Sequence, residues 1–347
     1  MSNATRWYAT REAVKAAVGI TGTASDSLID LKIEAASEDI EREFNRRFIP
    51  LTAQKQYPWP QAARDSYILY LDEDLIAVTA LTKDDDTATA IAAADYFLEP
   101  VNSGPPYNRI EIDRSTSEYF SAKLTNQRAI RVTGRWGYSE DTKAAGALAE
   151  ADDGSELALD VTDSSLIGIG DTILIGTEQL FVSGKALLTT TTTLNDTLTA
   201  DMKDVTVTVA LGTSIKQGEV ITIDSERMLV ESISGNDLTV QRAVNGSVLA
   251  AHSTGVTIYA PRTLTVVRAV NGTTAATHAT AAAITRYAPP ADIVELVIAK
   301  AIAHMKQDAS GWTGQISGGE AAVQVRMVDL YTLQKRCERT YRRYVVA

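Results

Sequence analysis

The chain has 347 residues, 45% of them hydrophobic and 22% charged, with a formal net charge of −11. That is enough apolar material for at least one substantial core, and the length suggests two domains or one with a large insertion. The acidic balance excludes a general nucleic-acid binder held by phosphate contacts, though not a wall past which DNA slides without sticking.

No apolar run reaches the length of a membrane span, and the opening MSNATRWYATREAVKAA lacks a secretory signal pattern, so the expected place of synthesis is the cytoplasm. Cys337 stands alone and can build neither an internal disulfide nor a cysteine metal cluster.

In chain order, Thr10 can cap a helix over 10–18 with Gly19 as its stop, and Ser25 or Asp26 can cap a second over 26–48, ended by Pro50. In the second, Ile29, Ile33, Ala36 or Ser37, Ile40, Phe44 and Phe48 recur at three- and four-residue steps, which predicts one buried stripe. Strand-like runs follow at 67–71, 75–82, 95–100, 109–113 and 129–138, separated by turn-rich pieces.

After Tyr138 the composition shifts to Thr, Ala, Gly and Val. Residues 157–184 align without a gap on 205–232 at an offset of 48, matching Ile173 with Ile221 and Glu178 with Glu226. The matched positions alternate apolar and polar, as a sheet with one buried face requires. A second repeat, VQRAVNGSVLAAH at 240–252 and VVRAVNGTTAATH at 266–278, carries Asn245-Gly246 and Asn271-Gly272, dipeptides suited to positive φ in a tight hairpin. Helical periodicity returns after Pro289-Pro290, with Ile293, Val297, Ala301 and His304 near one face, and again from about Ala322, beyond the punctuation GWTGQISGG at 311–319.

The fold expected from this pattern is α+β: a helical domain with a strand-rich extension, residues 1–139 and 288–347, interrupted by an inserted all-β domain over 140–287. Chemistry is hard to find. His252, His278 and His304 lie 26 apart, but a zinc site needs converging ligands, and a histidine packed over each turn and bonded to backbone is the simpler reading. Asp84, Asp85 and Asp86 lack calcium-loop spacing and read as a solvated turn. With no phosphate loop, nucleophile elbow or zinc-hydrolase motif, we expect no enzyme, no metal and no cofactor.

The last segment is basic and aromatic. Tyr331, Arg336, Arg339, Tyr341, Arg342, Arg343 and Tyr344 suit either a surface helix or a docking tail, because Tyr and Arg anchor interfaces well.

Two stretches of the helical frame resemble the head-tail connector, or adaptor, proteins of tailed bacteriophages. Ile33, Ala36, Ile40, Phe44 and Phe48 are similar to that family's second-helix pattern. Val132, Gly134, Trp136, Gly137 and Tyr138 are similar to the strand preceding its next helix. The family's next helix is similar to PPADIVELVIAKAIAHM, which here begins only at Pro289. The middle region, GEVITIDSERMLVESISGNDLTVQRAVNGS, is similar to a β-module of phage neck and baseplate proteins.

The resemblance implies a virion protein of the head-tail junction, assembled in the host cytoplasm into a homo-oligomeric, dodecameric ring. Such a ring would sit beneath the portal, meet a tail terminator, tail tube or another neck protein, and line the passage of double-stranded DNA, with no membrane partner. It further implies that 322–347 docks on the portal. The competing reading is a β-rich surface decoration or a carbohydrate- or protein-binding module on a helical base. Phe181 and Tyr259 are the only aromatics between Ala144 and Ala283, which disfavours sugar stacking.

Overall fold

The computed structural model describes residues 6–59, 66–84, 89–309 and 327–343. Thr10 caps α1 (Arg11–Val18) by accepting from the Ala13 N–H, and Gly19 closes it at φ 70°. α2 (Asp26–Phe44) buries Ile29, Ile33, Ala36, Ser37, Ile40 and Phe44 along one stripe. It stops at Asn45, in the left-handed conformation, well before Pro50; Phe48 lies beyond the helix yet is buried in the same core.

Next come β1 (Leu51–Tyr57), β2 (Ile68–Lys83), β3 (Thr89–Ile91), β4 (Tyr96–Glu99), β5 (Tyr107–Ile112) and β6 (Ile130–Trp136). They form one antiparallel sheet in the order β1-β6-β2-β5-β4, with β3 beside β2. The runs at 67–71 and 75–82 are thus a single strand with register shifts, and β1 is a strand the sequence pattern did not signal. Its own core gathers Leu69, Leu75, Ile110, Val132 and Trp136. Gly134 belongs here sterically, since a Cβ on it would lie 2.2 Å from the Ala77 carbonyl oxygen of the neighbouring strand.

The remaining strands are β7 (Thr142–Ala147), β8 (Ala158–Asp160), β9 (Thr172–Ile175), β10 (Glu178–Thr193), β11 (Thr206–Thr208), β12 (Val220–Ile223), β13 (Glu226–Ser234), β14 (Asp237–Gln241), β15 (Thr257–Val267) and β16 (Ala283–Tyr287). They join in one ten-stranded antiparallel sheet. α3 (Ala291–Ala309) and α4 (Met327–Tyr341) close the chain against α2.

The expected fold class is therefore corrected. The chain is mostly β, built on two large antiparallel sheets with four helices, and is not a helical domain carrying a β insertion. The stretch taken as an extension of a helical domain is a sheet with a core of its own. The second sheet is also welded to the helices: Phe181, Val270 and Tyr287 enter the helical core, and Trp7 meets Phe181 edge-on at 5.4 Å.

Within the second sheet two cores are separate, and their membership reveals its plan. One contains Leu159, Val161, Ile167, Ile173, Ile175, Leu180, Val182, Leu264, Val266 and Ile284. The other contains Val207, Val209, Ile215, Ile221, Ile223, Met228, Val230, Leu238, Val240 and Ile258. Each of these ten residues of the first has its counterpart in the second, at +48 before residue 184 and at −26 after residue 262. The two sequence repeats are one duplication in which an inner module (187–260) interrupts an outer module (142–186 with 262–287). β10 and β15 pair from Phe181–Val267 to Thr193–Thr257 and carry the chain out to the inner module and back.

Candidate functional site: a duplicated carboxylate clasp

In the inner module the Glu226 carboxylate is wholly buried at the start of β13. Arg242 donates to it from Nε and Nη2, both at 2.8 Å, and the backbone N–H groups of Ala243 and Ala250 donate at 3.1 and 3.0 Å. His252 Nε2 lies 2.9 Å from Glu226 Oε2, while its Nδ1 lies 2.7 Å from Asp224. Remaining Arg242 protons go to the carbonyls of Thr199, Asp204 and Ala250.

The outer module repeats the set of donors around the glutamate, although Gly176 stands where the inner module has Asp224. Glu178 takes Arg268 from Nε at 3.1 Å and Nη2 at 2.6 Å, the N–H groups of Ala269 and Ala276, and His278 Nε2 at 3.0 Å. A second difference is that Arg268 Nη1 reaches the Asp152 carboxylate at 2.7 Å, where Arg242 Nη1 bonds to the carbonyls of Thr199 and Asp204. Each histidine also bridges by backbone to the facing strand end, His252 to Leu198 and His278 to Asp152.

Burial alone would raise these carboxylates. The arginine, histidine and amide donors overcome that and hold Glu226 down to about 2, with Glu178 also lowered. A carboxylate so saturated with donors has no free lone pair and no proton to give near neutral pH, so the clasp cannot act as a general acid or base. Its work is structural: it pins the RAVNG loop and the following connector to the strand carrying the glutamate. Among the described residues, no group of three or more His, Cys, Asp or Glu side chains could hold a metal ion.

The Asn-Gly steps do have the positive φ expected of them, 52° and 73° for Asn245 and Gly246, 53° and 74° for Asn271 and Gly272. They are not hairpin corners. β14 is followed by β15, which pairs with β12, and the outer phrase crosses from β15 to β16, which pairs with β9 and β7. The outer loop instead seats on the first sheet. A Cβ on Gly272 would lie 2.0 Å from the Thr52 carbonyl oxygen, buried Asn271 donates to Gln179 Oε1 at 2.8 Å, and Gln179 Nε2 donates to the Pro50 carbonyl at 3.1 Å.

The modules are locked together by Glu219, buried, which takes Arg262 at 2.8 and 2.6 Å and Ser164 from the other module. Its counterpart in the outer module is Asp171, which accepts from the Gly168 N–H but has Arg286 no nearer than 3.8 Å and feels Lys185 only at longer range. Burial therefore wins and lifts Asp171 to about 6, whereas Glu219, despite its burial, is lowered by the bonded Arg262. Asp171 lines a cleft of about 1230 Å³ between α1 and the two modules, together with Lys185, Arg227 and Asn245.

The C-terminal residues divide. Tyr341 is buried, donates to Asp292 at 2.7 Å and packs edge-on against Phe48 and Tyr138 at 5.6 and 5.3 Å. Arg343 donates to Asp74 and to the Leu71 carbonyl. These two are framework, not free anchors. Tyr331, Arg336, Arg339 and Arg342 are exposed, and Arg336 faces Glu295 at 3.2 Å. Tyr344 lies outside the described residues, as do GWTGQISGG, Asp85 and Asp86; Asp84 is buried and bonded to Ser121 rather than solvated. His304 sits on α3, away from both clasps, and burial lowers it.

Of the family-like residues, Ile33, Ala36, Ile40, Phe44 and Phe48 share the helical core, while Val132 and Trp136 share that of the first sheet. Tyr138 packs at the edge of the helical core. Sequence reasoning missed the two clasp glutamates and arginines. Their signal was present, because Glu178 and Glu226 match in one repeat while Arg268 and Arg242 match in the other. Comparison with protein-family models, with curated proteins and with solved structures gave no match.

Proposed function

We propose that this chain is a structural subunit of the head-tail junction of a tailed bacteriophage, closing into a ring beneath the portal and surrounding the path of the DNA. The observation that carries the reading is the meeting of the family-like segments. Ile33, Ile40, Phe44 and Phe48 from the first part of the chain share one core with Ile293, Val297 and Ala301 from the last, and Tyr138 packs against it. Segments read as similar to one family, though far apart in sequence, thus pack as one body.

The site chemistry supports a scaffold role as well. The clustered charges are consumed in buried pairs that fix loops, and the outer of those loops fastens one sheet to the other. The exposed face of α4, with Tyr331, Arg336 and Arg339, is the surface assigned to the portal. A closed ring needs two different faces on each subunit, so portal contact and subunit contact are separable.

The test is co-sedimentation of the purified protein with the portal assembly of the same virion. Wild type is expected to co-sediment. The triple variant Tyr331→Ala, Arg336→Ala, Arg339→Ala is expected to lose the portal while keeping its own oligomeric state. A wild-type protein that never associates with the portal contradicts the reading.

A further inference from the structure

The duplication supplies two equivalent loops, while the first sheet offers two kinds of edge. The outer loop covers the free edge of β1 within the same chain: Gly272 lies on the Thr52 oxygen and Gln179 on the Pro50 oxygen, two carbonyls that point the same way from an extended strand. The inner loop is built to the same form without such a seat. Ala243, Asn245 and Gly246 have φ of 52°, 52° and 73°, against 53°, 53° and 74° for Ala269, Asn271 and Gly272. The same hydroxyl brace holds it, with Ser247 Oγ bonded to the Val244 carbonyl and the Arg227 N–H, as Thr273 is to Val270 and Gln179.

Ala243 is held in the left-handed region, an unfavourable backbone for a residue with a Cβ, and the clasp sustains it although, among the described residues, the loop seats on no strand of the first sheet. Its nearest neighbour at Gly246 is Thr21, 3.5 Å from where a Cβ would stand, an ordinary contact rather than a seat. Asn245 and Arg227 are exposed, whereas their counterparts Asn271 and Gln179 are buried. The rest of the docking face has changed in step: Phe181, Leu174, Ile169 and Tyr287 correspond to Leu229, Thr222, Gln217 and Pro261. The inner face is thus more polar than the one that enters the helical core, and Arg227, which donates at 3.4 Å to the Asn245 carbonyl of its own loop beside the α1 cleft, replaces the residue that reached the Pro50 carbonyl.

At the other end of the first sheet, β4 pairs with β5 on one side only, and no strand lies on its outer side among the described residues. Phe97 on this edge is 54% exposed and Val101 just beyond it 65%, while half-buried Glu99 holds a carboxylate that accepts from the Val101 N–H at 2.8 Å and has only a long contact, 3.9 Å, to Arg109. An open edge with an exposed aromatic is a pairing surface unless something covers it.

We propose that the inner loop, Ala243–Ser247 with Arg227, seats on the outer edge of β4 of a second copy of this chain, with Arg227 meeting Glu99 there. The contact deepens the ring reading above and rests on it. Each copy gives one loop and one edge, so the contact is heterologous and propagates from subunit to subunit. Net charge of −11 disfavours indiscriminate self-association, which makes a matched cation-carboxylate pair the natural device for fixing register.

The experiment is a charge swap read by sedimentation velocity of the full-length protein over a range of concentrations. Arg227→Glu alone and Glu99→Lys alone are each expected to weaken self-association by roughly tenfold or more, by placing like charges face to face. The double variant, and an equimolar mixture of the two single variants, are expected to regain it, since every loop then meets an edge of opposite sign. Thermal melts of each variant check that the fold is kept. Self-association indifferent to both substitutions, or single variants weakened but not rescued by the double, overturns this contact while leaving the ring reading intact. A wild type that stays monomeric at all concentrations and ignores the portal overturns both.

Discussion

Replacing Glu226 by Ala should unfold the inner module while sparing the outer. The substitution leaves Arg242, whose side chain is fully buried, without its counter-charge. Stranding one partner of a buried pair costs about 3–5 kcal/mol. The N–H groups of Ala243 and Ala250 lose their acceptor too, at about 1–3 kcal/mol each. The sum approaches the whole stability of a small domain, so local unfolding is the expected result.

The lowered carboxyl reflects the same contacts and points the same way. Glu226 sits at about 2 against roughly 4.3 when unfolded, so its ionised form stabilises the fold. Because the folded value is the lower one, that stabilisation is present above pH about 4.5 and disappears as pH falls through about 2. The assay is hydrogen exchange by mass spectrometry. Glu226→Ala should lose protection across 205–258 at neutral pH while 142–186 and 262–287 keep theirs. Protection retained in the inner module, or lost equally in both, refutes the nested-module account and the role given to the clasp.

Three more outcomes follow from paired positions. Gly272→Ala and Gly246→Ala pay the same left-handed backbone cost, but only the first drives a Cβ to 2.0 Å from a carbonyl oxygen; chemical denaturation should find Gly272→Ala more destabilising by about 1–3 kcal/mol. Asp171→Asn should raise the melting temperature at pH 7.5 and lose that advantage near pH 4. The Asp171 carboxyl is raised to about 6, so its contribution is favourable below the unfolded value near 3.9 and lost as pH rises through 6; equal effects at both pH values contradict this. Tyr341→Ala should cost about 3–5 kcal/mol in denaturation because it empties the space between Phe48 and Tyr138, whereas Tyr331→Ala, at a residue 62% exposed, should leave stability unchanged.

The local rules read well from sequence wherever one short-range term dominates. Thr10 and Gly19 bound α1 because capping is decided within four residues, and the stripe from Ile29 to Phe44 is buried because helical period puts it on one face. Fold class failed for a different reason. Short strands between turns look like connecting segments until their pairing is known, and the pairing of β1 with β6 or of β2 with β5 joins residues far apart in the chain. The turn dipeptides announced positive φ but not what the turn joins. Asn271-Gly272 and Asn245-Gly246 have matching φ values, yet Asn271 is buried and Asn245 is exposed.

The clasp was half visible. Its glutamates lie in one repeat and its arginines and histidines in the other, and the differing offsets concealed that both belong to one duplication. The two offsets together equal the length of 187–260, which is the mark of a module nested inside its own relative. At the C-terminus, composition alone could not separate Tyr341, which packs inward, from Tyr331, which faces out. Tyr331 lies just beside Leu330 and ten residues before Tyr341 on the same helix, and only the helix's orientation against α3 distinguishes their roles.

Electron microscopy of the purified protein, alone and mixed with its portal, tests the central claim most directly. The account predicts closed rings in which each subunit contributes two different faces, adding density beneath the portal around an open channel. A protein that remains monomeric on the grid and leaves the portal unchanged contradicts it.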